Sequence, residues 1–426
     1  MHTGTNRPIR VLAVDDSAVM RGVLRTLFQT QGQKHFSELP AIELCGVVED
    51  GVECLAAVVR LRPDVVVLDL EMPRMHGLYV LERLRLEEPG LPVIMCSAYT
   101  QRGARATLDA LAMGAADYVM KPSEQSDLAT AIKTLADQLL PKIAALAGAG
   151  FEVLSGVRGE TTRQEIAESR LSPNRAAARA SAVGGSSAPV EIVVIGLSTG
   201  GPSALEAMLP RLAEDFAVPV MIVQHMPKLF TGELAERLDR RCALHVREAH
   251  DGAAVSPGTI WLAPGDSHME VAEAIDETPA GGRGGVRRAV VHLHQQRSLN
   301  HCKPSVDYLF DSAARLYGAG TLALVMTGMG SDGLAGARRV HEAGGVVLTQ
   351  DAATSAVWGM PGRIFEAGLA REPLPLAALA GELTRRVNAG RSGRVAREAF
   401  AMKTAAPHRN ETAVSTVRPE VIHGLL

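Results

Sequence analysis

Three residues in the second half of the chain have the types that acyl transfer needs. Ser198 stands in Ile195-Gly196-Leu197-Ser198-Thr199-Gly200-Gly201, His225 in Gln224-His225-Met226-Pro227, and Asp332 in Met326-Thr327-Gly328-Met329-Gly330-Ser331-Asp332-Gly333. A serine hydroxyl attacks an acyl carbon when an imidazole takes its proton, and a carboxylate keeps that imidazole in the right tautomer. The backbone N–H of Met329, set between glycines, is suited to bind the oxyanion that forms, and the N–H of Thr199 is a second and weaker candidate. Taken singly, each residue also has a plainer role. Ser198 can cap a helix, His225 can be a half-buried loop histidine, and Asp332 can be the N-cap of a helix starting at Leu334.

The first half carries a different set: Asp15, Asp16, Asp69, Ser97 and Lys121. Three carboxylates gathered in one place repel each other unless a cation sits among them, and oxygen ligands with water suit Mg²⁺. A lysine and a serine opposite can bind an incoming phosphoryl group. The set describes an aspartate that takes phosphate onto its own side chain.

Both sets need a scaffold that collects them. Apolar runs Ile9 to Val14, Ile42 to Val48, Val65 to Leu70, Val93 to Ser97 and Tyr118 to Met120 alternate with segments of helical length and period. This pattern predicts a five-stranded doubly wound parallel sheet over residues 8–140, with its site beyond the carboxyl ends of the strands. All five chemistry-bearing residues fall at those ends. In the second half the strand-like runs are Ile192 to Ile195, Pro219 to Val223, Thr259 to Leu262, Val286 to His294, Leu322 to Met326 and Val346 to Thr349. Helical stretches separate many of them, notably Ala204 to Ala213, Gly232 to Arg241, Ser305 to Tyr317 and Leu334 to Ala343. A second α/β domain with a mainly parallel sheet is expected over residues 190–386, and Ser198, His225 and Asp332 each follow one of its strands. Gly196 turns the chain, and Pro202 suits the first turn of the helix after the serine.

Residues 141–189 read as a linker. Pro141 interrupts a helical run that starts near Asp127, with Ile143 to Ala147 as a further helical stretch, and Gly, Ala, Ser and Arg then dominate through Gly184-Gly185-Ser186-Ser187. The glycine- and arginine-rich segment Glu277 to Arg288 reads as a surface loop, and residues 387–426 as a polar tail with a short helix near Val395 to Met402. His292 and His294 share a strand face. With His301 they invite a metal reading, but Gln295, Gln296 and Arg297 make the area polar, so a polar surface strand is preferred.

Two resemblances gather these motifs. Val14-Asp15-Asp16-Ser17, Leu68-Asp69-Leu70-Glu71-Met72-Pro73 with Gly77, Ser97-Ala98 and Lys121-Pro122 resemble a response-regulator receiver domain. The resemblance implies phosphorylation at Asp69. It implies Mg²⁺ held by Asp16 and Asp69, with Asp15 close by and Glu71 contributing through its backbone. It implies Ser97 and Lys121 on the phosphoryl group, and a cis bond at Lys121–Pro122. The second half, through Ile195 to Gly201, Gln224 to Pro227 with Phe230-Thr231, Ala263-Pro264-Gly265 with His268-Met269, Pro304-Ser305-Val306-Asp307, Met326 to Gly333 and Gly359-Met360-Pro361, resembles the chemotaxis protein-glutamate methylesterases. That resemblance makes Ser198, His225 and Asp332 the triad and Met329 the oxyanion contact. It implies hydrolysis of glutamate γ-methyl esters on the cytoplasmic domain of methyl-accepting chemoreceptors, with methanol released, and deamidation of receptor glutamines. The esterase chemistry would need no cofactor. A histidine kinase would supply the phosphoryl group, and the unphosphorylated receiver would cover the catalytic face.

Composition excludes several classes. The formal net charge of −3 over 426 residues and the absence of a basic recognition helix argue against a nucleic-acid partner. No apolar run reaches the roughly 18 residues of a membrane span. Cys45, Cys54, Cys96, Cys242 and Cys302 are odd in number and form no C-x-x-C, as expected of free thiols in a reducing cytoplasm. The chain order Ser, His, Asp departs from the Ser, Asp, His of α/β-hydrolases. A dinucleotide-loop reading of Gly196 to Gly201 fails because Ser198 occupies the second glycine position.

Overall fold

The computed structural model describes residues 7–30, 39–122, 127–148, 188–276 and 286–389. The first domain alternates β1 (Ile9–Val14), α1 (Ala18–Thr30), β2 (Ile42–Val48), α2 (Gly51–Leu61), β3 (Val65–Asp69), α3 (Gly77–Glu87), β4 (Val93–Ser97), α4 (Gln101–Ala112), β5 (Asp117–Met120) and α5 (Leu128–Gly148). Its sheet is parallel throughout, in the order β2-β1-β3-β4-β5. Every residue of β3 and β4 is buried, because helices cover both faces of a parallel sheet, so the strands read as continuous apolar runs. The order reverses between β1 and β3. That switch point brings the residues after β1 beside the end of β3.

The second domain runs β6 (Ile192–Leu197), α6 (Gly201–Met208), β7 (Val220–Gln224), α7 (Lys228–Asp239), β8 (His245–Glu248), β9 (Thr259–Leu262), β10 (His268–Asp276), β11 (Val286–His294), α8 (Val306–Tyr317), β12 (Thr321–Val325), α9 (Leu334–Glu342), β13 (Val346–Thr349) and α10 (Met360–Glu366). A six-stranded parallel sheet has the order β13-β12-β6-β7-β9-β8. β6 is therefore hydrogen-bonded to β12 on one side and β7 on the other. β10 and β11 form a separate antiparallel pair.

Four expectations change. α5 does not stop at Pro141 but continues to Gly148. A proline inside a helix costs about 3 kcal/mol, and burial of Leu140, Ile143 and Leu146 offsets it at about 1.5–3 kcal/mol per side chain. Val286 to Arg288 are not loop but the start of β11, paired with Asp276 to Ala274 of β10; the rest of the segment, 277–285, lies outside the described residues. The last helix spans 376–389 and buries Val387, so the polar tail does not begin at 387. The proposed helix near Val395 to Met402 lies outside the described residues. Finally, the Lys121–Pro122 peptide is trans, the lower-energy isomer of an X–Pro bond; among the described residues the cis bond is Lys303–Pro304.

Candidate functional site

β6, β7 and β12 are neighbours in the sheet, and their carboxyl ends lead into Ser198, His225 and the loop to Asp332. Ser198 is half-buried, and its backbone is pinned on three sides. Its N–H donates to Thr327 O at 3.0 Å, and its carbonyl accepts from Gly201 N at 2.8 Å and Gln224 Nε2 at 2.9 Å. Gly328 must lack a side chain here, since a Cβ on it would lie 2.9 Å from Ser198 Cβ. Gly200 turns into α6 with φ of +77°, a conformation glycine adopts without strain.

His225 Nε2 lies 2.8 Å from Asp332 Oδ2. Asp332 is buried and collects further donors: Val306 N at 2.7 Å, Ser305 Oγ at 2.8 Å and Asn300 Nδ2 at 3.3 Å. Burial opposes its ionisation, but His225, the Val306 N–H and the Ser305 hydroxyl outweigh it and bring its pKa down to about 2. Burial likewise opposes the His225 imidazolium; Asp332 and Cys302 outweigh it and raise its pKa to about 10. The neighbouring Asp307 is pushed up to about 6 by burial and by the Asp332 charge. A carboxylate partner makes Nε2 the protonated nitrogen of the neutral ring. Nδ1 is then the basic one, and it faces Cys302 Sγ at 3.6 Å. Among the described residues the Ser198 hydroxyl has no hydrogen-bond partner, so the serine-to-histidine link is not closed in this arrangement. The N–H groups of Thr199 and Met329 also lack acceptors among the described residues, as donors reserved for an oxyanion would. Ser305, Asn300 and the Val306 N–H were not assigned roles from sequence. The Pro304-Ser305-Val306-Asp307 motif marked the place, but nothing in it identified the partner.

In the first domain Asp15 and Asp69 are buried at the β1/β3 switch point, and exposed Asp16 joins them with carboxylate oxygens within 4.8 Å of one another. Lys121 Nζ lies 2.9 Å from Asp15 Oδ2 and 2.8 Å from Asp69 Oδ2. Burial and the Asp15 charge raise the Asp69 pKa to about 6, against the pull of Lys121. Lys121 is itself raised, since Asp69 and Asp15 outweigh its burial. Glu71 meets Asp69 through its backbone, N–H to Oδ1 at 3.3 Å. The Ser97 hydroxyl is close by in the sheet but turned toward Ala98 O and Gly103 O, at 3.4 and 3.3 Å. Gly77 backs this site: a Cβ there would lie 2.2 Å from Asp69 O, a backbone atom that cannot yield. Gly77→Ala is expected to destabilise the first domain by about 1–3 kcal/mol or more, read as a lower midpoint in chemical denaturation; an unchanged midpoint would contradict the packing described.

Residues 11–133 match the family model described as response regulator receiver domain, and residues 193–383 the one described as CheB methylesterase. A protein-glutamate methylesterase/protein-glutamine glutaminase of Trichodesmium erythraeum is 41% identical over 378 residues, covering 89% of this chain and 99% of the relative. The chain belongs to the CheB methylesterase family. A second relative of the same description, from a Nocardioides species, is 42% identical over 379 residues, covering 89% of this chain and 95% of the relative. The solved catalytic domain of the Thermotoga maritima CheB methylesterase is 39% identical and aligns with a TM-score of 0.42, covering 46% of this chain and 98% of that one.

In this CheB-family chain the receiver packs directly beside the serine. Thr199 Oγ1 donates to Asp117 Oδ2 at 2.6 Å, and Lys142 on α5 pairs with the other oxygen of Asp117 at 2.9 Å. Tyr118 stacks on Phe230 with ring centroids 4.8 Å apart and planes 10° from parallel. Arg105 of α4 pairs with Glu233 of α7 at 2.7 Å, and Ser203 Oγ donates to Leu111 O at 2.9 Å. Val357 and Met329 pack into the receiver's apolar cluster around α5. β5 thus carries Asp117, bonded to Thr199, at one end and leads into Lys121, paired with Asp69, at the other. Among the described residues no helix is long and apolar enough to cross a membrane.

Proposed function

We propose that the chain is a phosphorylation-activated serine hydrolase that removes γ-methyl esters from glutamates of chemoreceptor cytoplasmic domains, releases methanol, and deamidates receptor glutamines. The observation that carries this reading is the convergence of Ser198, His225 and Asp332 at the ends of three adjacent parallel strands, with Asp332 already bonded to His225. Ser198 Oγ attacks the ester carbon. His225 Nδ1 takes its proton and returns it to the departing methoxide. Asp332 holds the ring through Nε2–H, and the N–H groups of Met329 and Thr199 face the oxyanion. Water then repeats the sequence on the acyl-enzyme. A fluorophosphonate probe should label Ser198, and methylated receptor should yield methanol at a rate that rises with a phosphodonor. No methanol under either condition would defeat the reading.

Activation is assigned to the receiver. Asp15, Asp16 and Asp69 fit a hard divalent cation: two buried carboxylates share the Lys121 ammonium through one oxygen each, and a third oxygen donor lies within reach. Mg²⁺ bound there would neutralise charge on the incoming phosphoryl group. A histidine kinase is the proposed donor, and Asp69 the acceptor. Phosphate on Asp69 would disturb Lys121 and hence β5, whose other end holds Thr199. The docked receiver restrains the residue next to the nucleophile, so weakening the dock should raise the basal rate. Tyr118→Leu removes a ring stack worth about 0.5–1.5 kcal/mol. The rate without phosphodonor is expected to rise roughly 2- to 13-fold, measured as methanol release. An unchanged or lower rate in the folded variant would count against restraint by docking.

A further inference from the structure

Cys302 is held over His225 by a tight turn whose two central residues are both at positive φ. The turn Leu299-Asn300-His301-Cys302 closes with Cys302 N donating to Leu299 O at 2.8 Å, and both central residues have positive φ, 51° and 61°. This is the φ pattern of a type I′ turn, which asparagine and histidine tolerate better than most side chains. The turn is tied to the active site, because Asn300 Nδ2 reaches Asp307 Oδ2 at 3.0 Å and Asp332 Oδ1 at 3.3 Å. The result places Cys302 Sγ 3.6 Å from His225 Nδ1, and the ligand atoms of Cys302, His225 and Asp332 within 4.8 Å of one another.

That spacing has a chemical meaning. Zn–S and Zn–N bonds of about 2.3 and 2.0–2.1 Å at a tetrahedral angle put sulfur and nitrogen about 3.6 Å apart. A metal-bound histidine also characteristically donates its other ring N–H to a carboxylate, which fixes the tautomer and raises the basicity of the ligating nitrogen. Asp332 does this at Nε2.

We infer that Cys302 Sγ and His225 Nδ1 form a binding site for a thiophilic divalent cation of the Zn²⁺ class, with Asp332 supporting the histidine from behind, and that the bound ion inhibits the enzyme. On binding, the thiol proton and the proton that the imidazolium carries on Nδ1 leave to solvent, Nδ1 donates its lone pair, and water fills the remaining positions. His225 can then no longer accept the Ser198 proton. The inhibitory half rests on the esterase reading above; the binding half does not.

Co²⁺ added to the full chain should produce a thiolate-to-cobalt charge-transfer band that Zn²⁺ displaces. Co²⁺ on the Asp15/Asp16/Asp69 cluster gives no such band, because carboxylates carry no sulfur. The band should vanish in Cys302→Ser and weaken in His225→Gln; a band that survives Cys302→Ser would overturn the site. The wild-type chain supplies a second test that needs no variant. Zn²⁺ should protect Cys302 from iodoacetamide, mapped by mass, while half-buried Cys45 and Cys242 stay equally reactive; equal alkylation of Cys302 with and without Zn²⁺ would overturn the proposal. In methanol release, Zn²⁺ should lower the rate tenfold or more, with recovery on chelation. A cobalt band that depends on Cys302 together with a rate unmoved by Zn²⁺ would overturn the inhibitory half alone. A chain that releases no methanol at all would sink the esterase reading and leave the spectroscopic result standing.

Discussion

Replacing Ser198 by alanine is expected to cut methanol release from methylated receptor roughly 10³-fold or more, with the fold intact. The effect is expected to be large because Ser198 is the group proposed to form the acyl-enzyme. In the proposed mechanism His225 and Asp332 act only through the serine hydroxyl, and the oxyanion donors would stabilise an intermediate that no longer forms. The variant is also a clean one. The Ser198 hydroxyl has no hydrogen-bond partner among the described residues, and the three bonds that pin this position use only its backbone N–H and carbonyl. Alanine keeps them all. Asp332→Asn is less informative, since Asp332 also accepts from Ser305, Val306 and Asn300, and a buried carboxylate removed from such partners costs stability as well as rate. Circular dichroism and phosphorylation of the receiver should match wild type in Ser198→Ala. Near-normal turnover would end the assignment of Ser198 as nucleophile.

Asp69→Asn is expected to abolish phosphoryl incorporation from a small-molecule phosphodonor with Mg²⁺, and with it any stimulation of methanol release. Wild type should take up one phosphoryl group per chain, on Asp69. Asp69 closes β3 with one oxygen 2.8 Å from Lys121 and the other near the Glu71 N–H. An amide there cannot form the acyl phosphate, and it lowers the charge available to a cation. Label persisting in the variant would place the acceptor elsewhere.

Much of the architecture was legible because parallel strands are buried on both faces. Val65-Val66-Val67-Leu68 and Ile192-Val193-Val194-Ile195 stand out from their flanks as continuous apolar runs. β8 was missed for the opposite reason: it is an edge strand, His245-Val246-Arg247-Glu248, in which Val246 alone is buried. β10 was missed because alanine and glutamate dilute its alternation of buried Met269 and Val271. Pro141 misled because a proline reads locally as a break, whereas the leucines and isoleucine that hold α5 through it are paid by tertiary contacts. At the site, residues that end strands were readable from topology alone. Groups arriving from loops were not. Thr199 was read for its N–H, yet its hydroxyl is taken by Asp117 from the other domain. Cys302 reads in the sequence as one of five ordinary thiols, since nothing local announces that Asn300 and His301 both turn to positive φ.

The place of β12 in the sheet also governs when the site can exist during synthesis. β6 gains its second neighbour only from residues made more than a hundred positions later, as the hydrogen bond from Thr327 Oγ1 to Thr199 O spans 128 residues. By then all five receiver strands have been synthesised, and domains generally fold in order from the amino end as the chain emerges. Asp332 follows β12 and reaches His225 last. A growing chain therefore holds its receiver domain before Asp332 can reach His225.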